Sequence, residues 1–220
     1  SGSVVILVIS LLYRNIESIG RISVLLLVGV ITTLLWIIFG GIAHGNLMEP
    51  IMHINDGLKI EYGLVAALGF ASVKTVYSYL GYYNVCHLGA EIKNPTKNIP
   101  RSMFISITGI AILYLAMNIS VASVLPFETI VESKYVVSAY IQALYGANAG
   151  AIVTVLILLV AFASLFAATL GYSRIPYAAA KDKSFFSFFA ELHPKLHFPH
   201  KSLLVLGGIA FIFSLLFRLK

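Results

Sequence analysis

From Ile22 to Ala43 the chain runs for 22 residues without a charge, and most of them are Leu, Ile or Val. About 20 apolar residues suffice to cross a bilayer as a helix, the form in which a single segment satisfies all its own backbone hydrogen bonds in hydrocarbon. Similar runs recur along the chain. The expected spans are residues 22–43, 63–90, 102–126, 151–180 and 203–217, with 3–13 as the end of a partial span. They make residues 1–220 one transmembrane domain, expected to be a fragment of a longer one. The whole composition agrees: 59% of residues are hydrophobic and 11% charged, with a mean hydropathy of +0.93. A soluble domain carries about 25% charge, so that class is excluded.

The net charge of +6 does not point to nucleic acid, because the lysines and arginines sit in short clusters between apolar runs and form no basic face. Topology accounts for them. If successive spans alternate, ten fall on one side, including Arg14, Arg21, Lys93, Lys97, Arg101 and Lys181, against four on the other, Lys59, Lys134, Arg218 and Lys220. The richer side is the cytoplasmic one. Glu49, Asp56, Glu61, Glu128 and Glu132 fall outside. This describes a multi-pass protein of a cell membrane, a plasma membrane or a bacterial inner membrane. The single cysteine, Cys86, rules out an internal disulfide framework and a cysteine-based metal cluster.

Between the spans, Tyr13 to Arg21 is expected as a tight loop, His44 to Tyr62 as an outer connection broken by Pro50 and Gly57, and Glu91 to Arg101 as a polar cytoplasmic loop. Phe127 to Gly150 suits an interfacial helix, and the stretch after Tyr172 continues as an amphipathic segment through Ala190. The span from Gly63 to Ala90 differs from its neighbours. It contains Lys74 and the aromatic, glycine-interrupted run Tyr77, Ser78, Tyr79, Leu80, Gly81, Tyr82, Tyr83 and Asn84. A helix interrupted at mid-membrane exposes backbone groups that protein, water or a ligand has to satisfy. Half-helix ends of this kind suit a zwitterion, the N-terminal ends facing a carboxylate and the unwound carbonyls an amine or cation. Gly81 is the natural hinge. An ordinary span with a packing glycine and interfacial tyrosines fits the same residues.

Tyr77-Ser78-Tyr79-Leu80-Gly81-Tyr82, followed by Glu91-Ile92-Lys93-Asn94-Pro95 and Asn98-Ile99-Pro100-Arg101, resembles the sixth helix and next cytoplasmic loop of the amino acid-polyamine-organocation superfamily. Gly171 to Ala180, with Leu192-His193-Pro194-Lys195 and Phe198-Pro199 after it, is similar to the end of the eighth helix and its loop in the L-type amino-acid transporter branch. The resemblance runs from the end of the fourth helix into the ninth. It implies an all-α membrane protein, part of a leucine-transporter-like inverted-repeat fold with a discontinuous helix near Tyr77–Tyr82. It further implies secondary transport of amino acids by alternating access, with the first helix and its glycine-rich turn absent from this stretch. By the same resemblance Tyr77 caps the substrate from outside, Ser78, Tyr79, Leu80, Gly81 and Tyr82 form the unwound segment, and Asn118 lies near the site on the seventh helix. Leu80 departs from the L-type pattern, which has a second glycine there. No acidic residue lies between Ala71 and Ala90 and Lys74 repels cations, so a neutral or an acidic amino acid is expected in place of arginine or a polyamine.

Lys74 is a candidate coupling residue that exchanges a proton, or a lysine snorkelling to the outer interface. Asn118 orients the broken segment or bonds a neighbouring helix. Ser164 and Thr169 lack the adjacent hydroxyl pair of sodium symporters, which favours a coupling proton or exchange. Glu91, Arg101, Arg174 and Asp182 are candidates for a cytoplasmic gate, with solvated loop charges as the plain alternative. His193, His197 and His200 are separated by prolines and lack an acidic or cysteine ligand beside them, so no metal and no cofactor is expected. The motifs of zinc hydrolases, serine hydrolases and phosphate-binding loops are missing, which argues against an enzyme. The expected partners are an amino-acid substrate and the lipid bilayer, with no nucleic acid; an accessory subunit is not legible. A permease-derived sensor or scaffold without transport, and a carrier of another small amine or organocation, are the alternatives.

Overall fold

The computed structural model describes residues 2–48, 62–146 and 149–216. The outer connection with Glu49, Pro50, Asp56, Gly57, Lys59 and Glu61 lies outside the described residues, as do Arg218 and Lys220. The described residues are helical with no strand. Four stretches are long and apolar enough to cross a membrane, Ile16–His44, Leu64–Glu91, Pro95–Ala122 and Ile152–Lys181, and Gly2–Leu12 and His200–Leu216 are shorter apolar helices.

Helix α1 is Gly2–Leu12 and α2 is Ile16–His44. The expected loop from Tyr13 to Arg21 is thus reduced to Tyr13, Arg14 and Asn15. Asn15 caps α2, its Oδ1 accepting the Ser18 N–H at 3.1 Å, and Glu17 sits in the first turn where the helix dipole favours a negative charge. Charge at a helix start is compatible with helix, and the capping residue, not the polarity, marks where it begins.

Helix α3 is Tyr62–Ser78, and beyond Tyr79, Leu80 and Gly81 the chain continues as a 3-10 helix over Tyr82–Glu91. Helix α4, Pro95–Ala122, starts seven residues before the expected span. Asn94 adopts a left-handed φ of 48°, its carbonyl accepts the N–H groups of Lys97 and Asn98, and Pro95 takes the first helical position, where a missing N–H costs nothing. The Asn98 amide donates to the Lys93 carbonyl, so both asparagines of this polar stretch build the turn. The expected interfacial helix is two short ones, α5 Phe127–Glu132 and α6 Val136–Tyr145. Helix α7 is Gly150–Tyr172 and α8 is Arg174–Lys181. Pro176 has no N–H for the Tyr172 carbonyl, which is why the 151–180 span divides there. A 3-10 turn over Ser187–Ala190 and helix α9, His200–Leu216, follow.

The chain forms two compact units, one of Ser1–Gly29, Tyr83–Arg101 and Leu159–Lys220, the other of Val30–Tyr82 and Ser102–Leu158. The first is built around Val8, Leu12, Ile19, Leu26, Phe166, Phe198 and Leu203. There α1 packs on α9, and Tyr13 meets Phe198 edge to face at 5.1 Å. The second has a core of Ile37, Val121, Leu125, Tyr140, Ile141, Ala149 and Val153. Its polar centre is Ser120, whose hydroxyl donates to the carbonyls of Ile37 (3.0 Å) and Ile38 (3.2 Å) and lies 2.9 Å from the Tyr140 hydroxyl.

Candidate functional site

The last turn of α3 tightens before it stops. The Tyr79 N–H is shared between the carbonyls of Thr75 and Val76, each at 3.2 Å, and the Leu80 N–H bonds Tyr77, only three residues back. Gly81 then takes φ of +111°, a conformation closed to side chains with a Cβ except at strain. The expected discontinuity of the helix near Tyr77–Tyr82 is present, with Gly81 at the break. The ten-residue 3-10 segment after it is unusually long for that geometry, whose hydrogen bonds are poorer than those of an α-helix.

At the break the Ser78 carbonyl accepts the Tyr114 hydroxyl of α4 at 2.9 Å, and the rings of Tyr79 and Tyr114 meet edge to face at 5.5 Å. Tyr114 therefore holds the end of α3 by two contacts. It was not among the residues singled out from sequence, although a phenol inside an apolar span signals a polar partner. The Ser78 hydroxyl donates back to the Lys74 carbonyl at 3.0 Å. Tyr77, Leu80 and Tyr82 are exposed, Tyr77 by 72%. Lys74 is exposed as well. Asn118 turns to its own helix, its amide donating to the Tyr114 carbonyl at 2.8 Å. It lies one turn from the residue that holds the break and makes no bond of its own to that segment.

Of the four gate candidates, the fold brings two together. Arg174, at the start of α8 and 3% exposed, forks onto Glu91 at the end of the 3-10 segment, with Nε to Oε1 at 3.1 Å and Nη2 to Oε2 at 3.4 Å. Its Nη1 donates to the Leu170 carbonyl at 3.2 Å and to the Ser173 hydroxyl at 2.9 Å. Planar bidentate geometry suits guanidinium and carboxylate, and burial weakens screening. Arg101 and Asp182 are exposed, and neither forms an ion pair among the described residues. Among the three histidines, His193 Nδ1 accepts the N–H groups of Lys195 and Leu196 at 3.2 Å each, and its ring stacks on Phe198. These are the contacts of a turn-forming residue.

The chain matches the amino acid permease family over residues 3–219. Among curated relatives it is 29% identical to a vacuolar cationic amino acid transporter of Arabidopsis thaliana, over 68% of this chain and 24% of that protein. It is 26% identical to a high-affinity methionine permease of Saccharomyces cerevisiae, over 84% of this chain and 32% of the permease. With a serine/threonine exchanger of Bacillus subtilis it shares 28% identity, over 60% of this chain and 31% of the exchanger. The chain spans about a quarter to a third of the length of these relatives. With the family matched along nearly all of its residues, and with four helices among the described residues long and apolar enough to cross a membrane, this chain belongs to the amino acid permeases, as a multi-pass membrane protein.

Proposed function

We propose that the protein to which these helices belong carries amino acids across the membrane by alternating access, and that its preferred substrates are neutral. The break at Tyr79–Gly81, where Gly81 takes a φ of +111°, is the observation that carries this reading. An interrupted helix offers backbone dipoles to both ends of a zwitterion, and Tyr114 keeps the broken end in place without covering it with a charge. Substrate chemistry follows from charge: the segment from Ala71 to Ala90 has no carboxylate to neutralise a cationic side chain, and Lys74 opposes one. An acidic amino acid is the next best fit. Tyr77 is the aromatic lid in this scheme. The Glu91–Arg174 pair, tying the segment after the break to the start of α8, is the inner latch.

The test is exchange of labelled amino acids by the full-length protein in proteoliposomes. Neutral amino acids are expected to exchange and to be competed by one another. Uptake of arginine alone would overturn the substrate assignment, and absence of any exchange would mark a permease-derived scaffold. In the same assay Gly81→Ala is expected to lower exchange by about tenfold, since a Cβ in left-handed backbone costs roughly 1–2 kcal/mol.

Lys74 is proposed as the coupling residue because it is a lone cation one turn from the break. Lys74→Ala is expected to flatten the dependence of uptake on an imposed proton gradient. A variant that keeps the parental dependence would leave Lys74 as a residue of the outer interface.

A further inference from the structure

The connection between α8 and α9 combines an aromatic cluster with unpaired basic charge, and the transport scheme uses neither. Helix α8 ends in a tight turn: the Ser184 N–H bonds the Ala179 carbonyl at 2.9 Å, the Lys183 N–H bonds Ala180 at 3.1 Å, and Lys183 adopts a left-handed φ of 60°. This turn delivers the chain into Phe185, Phe186, Phe188 and Phe189. Their rings form a connected chain, with centroids 5.0 Å apart for Phe185–Phe186, 5.4 Å for Phe185–Phe189 and 5.3 Å for Phe188–Phe189. The 3-10 turn that carries Phe188 and Phe189 packs on α8 and α9, yet Phe185, Phe186 and Phe188 remain 46%, 70% and 52% exposed.

The charges around this cluster are unevenly used. Lys201 is taken: it donates to the Glu191 carboxylate and sits 4.5 Å from the centroid of the Phe188 ring. The Lys201 hydrogen bond lowers the Glu191 carboxyl pKa from its ordinary value. Lys181, Lys183 and Lys195 are exposed and form no ion pair among the described residues, with Asp182 as the acid nearest to them in the chain. The segment leaves one membrane-capable stretch at Lys181 and enters the next apolar helix at His200, so it lies at a membrane surface.

We infer that the Phe185–Phe189 cluster with Lys181, Lys183 and Lys195 is an interfacial anchor that binds anionic phospholipid headgroups, the rings entering the acyl boundary and the ammonium groups holding phosphates. Aromatic rings favour this boundary, and lysines near an anionic surface are attracted to it within a Debye length. The arrangement fits a bilayer surface because exposed rings and exposed lysines share one short connection, Glu191 is already paired with Lys201, and the three lysines outnumber the remaining acid, Asp182.

A tryptophan at the most exposed ring of the cluster, Phe186, tests this. Full-length protein with Phe186→Trp is reconstituted in phosphatidylcholine alone and with about 30 mol% phosphatidylglycerol, the latter enough anionic lipid for a substantial surface potential. The difference in emission from the parent protein is then followed. Lipid brominated near the top of its chains is expected to quench the added indole, and aqueous iodide to leave it shielded. Phosphatidylglycerol is expected to raise the bromolipid quenching about twofold, and this gain is expected to vanish near 0.5 M salt, where the Debye length is roughly 4–5 Å. Lys181→Gln with Lys183→Asn, the asparagine being compatible with left-handed backbone, is expected to abolish the same gain. Ready quenching by iodide in both lipids overturns the anchor. Shielding from both quenchers assigns the cluster to a protein contact and overturns it too, and bromolipid quenching indifferent to phosphatidylglycerol overturns the anionic part.

Discussion

Glu91→Ala destabilises the full-length protein by about 3–5 kcal/mol, and more than Arg174→Ala does. The order follows from what each change leaves behind. Without Glu91 the guanidinium stays in place with its side chain 4% exposed, keeping only the Leu170 carbonyl and the Ser173 hydroxyl as partners for a full charge. Without Arg174 the remaining carboxylate is 22% exposed and recovers part of its hydration. Thermal midpoints in detergent, read by loss of the monodisperse peak, are expected to fall by roughly 5–10 °C for Glu91→Ala and by less for Arg174→Ala. Combining Glu91→Met with Arg174→Met removes both charges and keeps the volume, so the double variant is expected to be more stable than Glu91→Met alone. Strictly additive single changes would show that the two side chains are not coupled. Transport separates the latch from a static brace: a latch that opens in each cycle predicts that the double variant regains stability and still leaks substrate.

Apolar runs made the order of the spans legible, because a charge-free helix in hydrocarbon has few alternatives. The interruption at Gly81 was legible for a similar reason, since a glycine among bulky aromatics marks a place where backbone conformation matters more than side-chain packing. Helix starts were less so. Glu17 and Arg21 look like loop residues until the Asn15 cap and the helix dipole are taken into account, and the polar stretch before Arg101 hides the asparagine turn that starts α4 at Pro95. Pairings far apart in sequence were the least legible. Glu91 and Arg174 were grouped with Arg101 and Asp182 as charges at the ends of spans, and only the positions of the 3-10 segment and the start of α8 select the two that meet. Tyr114 escaped notice because its role depends on the carbonyl that the break at Ser78 makes available.

The small residues around the end of α2 carried a usable signal that went unread, Gly41 in its last turn and Gly45 just past its end at His44, four apart, the spacing that lets two membrane helices approach closely. In the fold, α4 comes against them. A Cβ on Gly41 would fall onto the Ser120 hydroxyl and lie 2.6 Å from the Ser120 backbone oxygen and 2.8 Å from the Tyr140 hydroxyl. Side chains can turn away, but a helical carbonyl cannot without moving its helix. Gly41→Ala therefore forces α2 away from α4 and from Tyr140 of α6, and the separation strikes a set of short bonds together: Tyr140 hydroxyl to the Ile37 carbonyl at 2.6 Å, Ser120 hydroxyl to the same carbonyl at 3.0 Å, and the Asn46 N–H to the Ser123 carbonyl at 2.8 Å. Overpacking costs roughly 1–3 kcal/mol and each interhelical bond about 0.6 kcal/mol, so a loss of about 3 kcal/mol or more is expected. Gly109 provides the contrast, since a Cβ there meets nothing within 4 Å and alanine is the better helix former; Gly109→Ala is expected to be neutral or to stabilise by up to about 1 kcal/mol. Adding Ser120→Ala to Gly41→Ala removes the hydroxyl from the clash and leaves the backbone oxygen where it was, so no rescue is expected. Recovery of the parental melting temperature in that double variant would show that the hydroxyl, and not the approach of the two backbones, limits the space at this crossing.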